Sequence, residues 1–160
     1  MDKDLLRQAT KQYLCVIISS FDYSLFVNKD ASMNTLQYVA LIAHDNKKHD
    51  MIAFVQRHLE TCRRESLVAT RTTGTHIENE TGLPVTKMLS GPLGGDLQIG
   101  ALIATEQVKA VIFLRDPLTA HPHEPDINAL MKACDTHNVP LATNLATAEL
   151  ILEHLKVIQE

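Results

Sequence analysis

From Tyr38 onward, short apolar runs alternate with segments of helical period, and no other feature of the 160-residue chain constrains its fold as tightly. Residues 39–43, 67–70, 85–89, 110–114 and 140–143 are short and mostly aliphatic, as strands are. Between the first two runs, spacings of three and four put Met51, Ile52, Val55, Leu59 and Cys62 on one face of a helix. A second helix is expected from about Thr75 to Gly82, stopped by that glycine and by Pro84. A third spans 95–106 and a fourth 125 to about 137; a fifth begins near Ala146 and buries Leu150, Ile151 and Leu155. Five strand-then-helix units in succession specify an α/β fold with helices on both faces of a mostly parallel five-stranded sheet.

Ligands of such sheets bind beyond the carboxyl ends of the strands, and the polar clusters fall there. His44 and Asp45 follow the first run, Thr70-Arg-Thr-Thr-Gly74 the second, and Ser90-Gly-Pro-Leu-Gly-Gly-Asp96 the third. Asp116-Pro117 through Asp126 follows the fourth, and Thr143-Asn144 the fifth. One shared site is the simplest consequence. The third cluster is the most informative. Its glycines permit close backbone approach, it opens a helix whose amides face an anion, and Asp96 is its one ionisable group. The threonine loop offers hydroxyls and amides suited to a phosphate dianion, although threonines also favour caps and turns. Lys48 stands where a helix begins, and there a cation opposes the dipole; contact with a bound phosphate accounts for that placement. Asp96 fits a plain helix-start carboxylate equally well, so work as a base requires a desolvated setting. Two prolines flank His123 and Asp126 and stiffen them, which proton transfer demands. His121 and His123 form an H-x-H pair, but no nearby cysteine or second histidine pair completes a metal site.

The formal net charge of −4, with no basic run, gives no electrostatic footprint for nucleic acid. Cys15, Cys62 and Cys134 are odd in number and far apart, so thiols in a reducing cytosol are expected rather than disulfides or a zinc cluster. No apolar run approaches the roughly 18 residues of a membrane span, and the apolar stretch 14–20 lies among aspartates, unlike a secretory signal. A soluble, cytoplasmic chain is expected. Residues 1–36 hold four of the seven aromatics without a clear period, and Met33 stands just ahead of the first strand. They read as an extension, and the functional domain as residues 37–160.

The clusters also resemble, in order and spacing, those of bacterial methylglyoxal synthases. The likeness rests on Ala43-His44-Asp45, Lys48, Ala69-Thr70-x-Thr72-Thr73-Gly74, Ser90 through Asp96-x-Gln98, Phe113-x-x-Asp116-Pro117-Leu118 and Pro122-His123-Glu124-Pro125-Asp126, and covers about residues 38–155. The resemblance implies a three-layer, Rossmann-like fold. It implies an enzyme that converts dihydroxyacetone phosphate into methylglyoxal and inorganic phosphate without metal or organic cofactor, with phosphate as product and candidate inhibitor and a homo-hexameric assembly. Carried over by position, Asp96 resembles the base that deprotonates the hydroxymethyl carbon. His123 resembles the partner at the substrate oxygens, and Asp126 an accessory or orienting carboxylate. His44 resembles a substrate-binding histidine; Lys48, Thr70, Thr72, Thr73, Ser90 and Gly91 resemble the phosphate site, and Asp116 a further aspartate near it. Arg71 departs from the family, standing where many members have glycine. It costs energy if that position needs positive φ, and it is expected to add a charge near the phosphate. Two alternatives share these features. A non-catalytic regulatory module of the same fold keeps the threonine loop without Asp96, His123 and Asp126. A sugar-phosphate isomerase uses the same enediolate but retains the phosphate.

Overall fold

Val39 to Ala43 are all buried, so the first strand must be covered on both faces, as a continuous apolar run requires. The computed structural model describes residues 37–119 and 124–158. The segment 1–36 with Met33, and both His121 and His123, lie outside the described residues. The strands are β1 (Tyr38–Ala43), β2 (Ser66–Ala69), β3 (Val85–Lys87), β4 (Val108–Leu114) and β5 (Leu141–Ala142). They form one five-stranded sheet in the order β3-β2-β1-β4-β5. Every pairing is parallel, so the sheet goes further than the mostly parallel arrangement expected.

The helices are α1 (Lys48–Arg57), α2 (Leu59–Arg63), α3 (Arg71–Thr81), α4 (Gly95–Ala104), α5 (Glu124–Thr136) and α6 (Leu145–Val157). Alternation along β1 sends Val39, Leu41 and Ala43 to one face of the sheet and Ala40 and Ile42 to the other. On the first face they meet Met51 and Phe54 of α1, Ile77 of α3 and Leu152 of α6. On the second they meet Ile99 and Ile103 of α4, with Ile127 and Leu130 of α5. These are the three layers the alternation specifies.

Three local details differ from the sequence expectation. The first helix is split at His58, whose φ of −109° and ψ of 28° break the helical path although no glycine or proline marks it. There His58 Nε2 meets Glu149 Oε2 of α6 at 2.5 Å, a tertiary contact that no local pattern contains. The second helix starts at Arg71 rather than near Thr75, because Thr70 is extended (φ −63°, ψ 148°) and ends the strand cleanly. Its far end is as expected, with Gly82 left-handed at φ 71°. The last helix buries Ala148, Leu152 and Leu155, whereas Leu150 is 71% exposed. Asn144 caps this helix through a bond from the Thr147 N–H to its Oδ1 at 3.0 Å. The core face therefore runs at i, i+4 and i+7 from Ala148, and Leu150 lies on the opposite side.

Two of the cysteines are packed in this core, Cys62 of α2 and Cys134 of α5, both as free thiols. Burial, with a smaller contribution from Glu65, pushes Cys62 up to about 12. Burial, aided by Asp135, pushes Cys134 up to about 11. Folded protein should therefore resist iodoacetamide at both positions, and denatured protein should react fully, as read by mass spectrometry. The folded state holds these protons more tightly than the unfolded chain. Their contribution to stability is thus intact below the ordinary thiol value of 9.0 and is lost as pH rises toward the folded values.

Candidate active site

The strand order places β1 and β4 side by side while their chain connections leave in opposite directions, which opens a crevice at their carboxyl ends. His44 is the residue that follows β1. Its Nδ1 accepts the backbone N–H of Asp116, just past β4, at 2.9 Å. An amide can only donate, so Nδ1 carries no proton, and the neutral ring holds its proton on Nε2. Phe113 fixes the plane of the ring edge-on, with centroids 5.1 Å apart. The Asp116 carboxylate accepts from Asn46 Nδ2 at 2.8 Å, Thr119 Oγ1 at 2.8 Å and the Leu118 N–H at 3.1 Å. Asp116 thus braces the two loops from behind His44.

The glycine-rich motif forms the opposite wall. Ser90 is extended, 91–93 make one 3₁₀ turn, and Gly94 turns left-handed at φ 90° before α4 begins. Gly95 meets a tighter demand. A Cβ there would lie 1.9 Å from the Leu89 carbonyl oxygen, so only glycine lets α4 start so close to the end of β3. Asp96 follows in the first turn of that helix with 1% of its surface exposed.

These walls enclose a cavity of about 240 Å³, the scale of a small metabolite rather than of a nucleotide or a drug-sized ligand. His44 and Asp96 line it together with Lys48, Thr70, Thr72, Ser90 and Gly91. The helices α3 and α4 both begin here, and their N-terminal dipoles favour a bound anion. Thr73 stands behind the wall, its Oγ1 accepting from Thr70 Oγ1 at 3.2 Å. Lys48 is held against Asp45 Oδ1 at 2.5 Å. That pairing offsets the dipole cost of a cation at a helix start, and Lys48 is part of the cavity wall. Burial gives the Asp96 carboxylate the desolvated setting a base requires.

Residues 50–143 match the MGS-like domain family model. Methylglyoxal synthase of Cupriavidus metallidurans is 62% identical over 123 residues, covering 77% of this chain and 88% of that one. Methylglyoxal synthase of Thermus thermophilus is 56% identical over 121 residues, covering 76% of this chain and 96% of its own. The crystal structure of methylglyoxal synthase from Elizabethkingia anophelis superposes with a TM-score of 0.69 at 45% identity, over 72% of this chain and 76% of that one.

The chain belongs to the methylglyoxal synthase family.

Of the residues that the family likeness singled out, seven meet in the cavity, and Thr73 and Asp116 lie directly behind its wall. Asp126 is in the first turn of α5 and is not among the lining residues; His123 lies outside the described residues. Arg71 is the first residue of α3 and is exposed. Among the described residues only Glu106 and Asn138 combine a side chain with positive φ, so position 71 does not need it and the conditional backbone cost at Arg71 does not arise. Sequence reasoning gave no role to Asn46, which donates to the Asp116 carboxylate, or to Gln98, which accepts the Leu89 N–H. Parallel pairing of neighbouring β1 and β4 is the signal that joins Asn46 to Asp116. The tight approach at Gly95 can be tested directly. Gly95→Ala should lower stability by about 1–3 kcal/mol as an overpacking change, seen as a lower Tm, and should reduce turnover by displacing Asp96.

Proposed function

We propose that this member of the methylglyoxal synthase family eliminates phosphate from dihydroxyacetone phosphate. One observation carries the reading: a buried carboxylate, Asp96, shares a cavity of about 240 Å³ with a histidine of defined tautomer and with a hydroxyl-rich anion site. Thr70, Thr72, Ser90, Gly91 and Lys48 hold the phosphate, with Thr73 supporting Thr70. Asp96 takes a proton from the hydroxymethyl carbon, and the electrons of that C–H bond move onto the carbonyl oxygen. A carboxylate can do this only if the developing enediolate is stabilised. The Nε2–H of neutral His44 is a donor suited to that oxygen, much as neutral imidazole acts in sugar-phosphate isomerisation. By family likeness, His123 relays protons at the substrate oxygens, and Asp126 orients it or shares that work.

The enediolate then expels inorganic phosphate from the neighbouring carbon, and the resulting enol ketonises to methylglyoxal. Expulsion requires the bridging C–O bond out of the enediolate plane. Several fixed donors around the phosphate set that torsion, a case of orientation serving catalysis. No organic cofactor or metal enters this scheme. Inorganic phosphate, bound by the same donors, acts as product and inhibitor. Among the described residues no helix is long and apolar enough to cross a membrane, and we place the enzyme in the cytoplasm as a homo-hexamer.

Incubation with dihydroxyacetone phosphate should release methylglyoxal and inorganic phosphate in equal amounts. Asp96→Asn should lower kcat by about 10²–10⁴-fold, the usual worth of a positioned base. Glyceraldehyde phosphate without phosphate release would make the protein an isomerase. Phosphate binding without turnover would make it a regulatory module.

A further inference from the structure

Asp96 can act as the proposed base only if the first turn of α4 aims its carboxylate at the reacting carbon, and two contacts to Leu89 bear on that aim. β3 is an edge strand, so alternate N–H groups point away from the sheet. The Met88 N–H bonds inward to the Ala69 carbonyl at 2.9 Å. The Leu89 N–H, two residues past the end of β3, is accepted by Gln98 Oε1 of α4 at 2.7 Å. The carbonyl of the same residue accepts the Arg71 N–H at the start of α3, at 3.3 Å, and packs on Gly95. Leu89 therefore touches the phosphate-binding helix on one side and the Asp96 helix on the other.

Gly95 and Gln98 hold α4 to Leu89 at two points of its first turn, one on each side of Asp96 in sequence. Two points fix a rotation where one would leave a pivot. The phosphate half has holds besides Gln98. Ser90 is held through bonds to its carbonyl from the Leu93 N–H at 2.9 Å and the Gly95 N–H at 3.0 Å, and Thr70 and Thr72 are held by α3 itself.

We propose that Gln98 is a positioning residue: by accepting the Leu89 N–H it fixes the roll of α4 and so the aim of Asp96 at the substrate carbon. The side chain is exposed and is not among the residues that line the cavity, so it acts through a neighbour, and Asp96 is the neighbour two residues away. This inference rests on the lyase reading, which the wild-type enzyme tests separately.

The experiment compares Gln98→Met, which keeps the length of the side chain and removes the acceptor, with Gln98→Glu, which keeps an acceptor oxygen. Turnover of dihydroxyacetone phosphate is measured alongside calorimetric binding of inorganic phosphate and Tm. The Met variant should lose at least tenfold in kcat, with KM and phosphate affinity within threefold of wild type. The Glu variant should stay within threefold of wild type in kcat. The proposal is overturned if the Met variant keeps kcat within twofold, if the Glu variant is equally impaired, or if phosphate affinity falls in parallel with kcat. Wild-type protein without lyase activity refutes the functional reading instead. Positioning is then judged by hydrogen exchange at the Leu89 amide, which Gln98→Met should accelerate at least tenfold and Gln98→Glu should not. Equal exchange in the two variants overturns it on that ground.

Discussion

The contact between the Gly95 Cα and the Leu89 carbonyl is the constraint on which the rest of the site depends. A side chain at position 95 would overlap that oxygen. Because glycine removes the overlap, α4 begins directly against the end of β3, and Asp96 enters the cavity one residue later. The same closeness accounts for the burial of a carboxylate at a helix start, a place where carboxylates are ordinarily solvated. Gly94, left-handed at φ 90°, supplies the turn that brings the chain there. The two adjacent glycines thus answer two different demands.

Sheet topology does the remaining assembly. Parallel pairing puts the carboxyl ends of β1, β2, β3 and β4 at one edge. Loops with little sequence in common then contribute a histidine, threonines, a serine and an aspartate to one small volume. The division of labour is spatial. Hydroxyls, amides and Lys48 suit a dianion, while Asp96 and His44 suit a carbon acid and its carbonyl. Lys48 illustrates the economy of the arrangement, because Asp45 holds its charge at the wall while two helix N-termini supply the rest of the field.

Much of this was legible in the sequence. Apolar runs too short for helices gave the strands, and their both-sided burial is what made the runs continuous. Ser90 through Asp96 could be read as an anion loop because the requirement for glycine is local. What could not be read is tertiary. At the break His58 meets a partner 91 positions away, and the Asp116 N–H bonds to His44, 72 positions away. Leu150 was misplaced because the apolar residues of α6 exceed one face, and only docking on the sheet selects Ala148, Leu152 and Leu155. Gln98 stood in plain view within the motif, but an acceptor for the amide just past an edge strand has no signature apart from the fold that brings the two together.

Asp96 is proposed to take the proton from the hydroxymethyl carbon. Proton NMR of dihydroxyacetone phosphate in heavy water reads that step without waiting for phosphate loss. Asp96→Asn, folded and still binding inorganic phosphate, should introduce no deuterium at the hydroxymethyl carbon above the uncatalysed rate. Deuterium entering at the rate of wild-type turnover in that variant would contradict that role and assign the base elsewhere in the cavity.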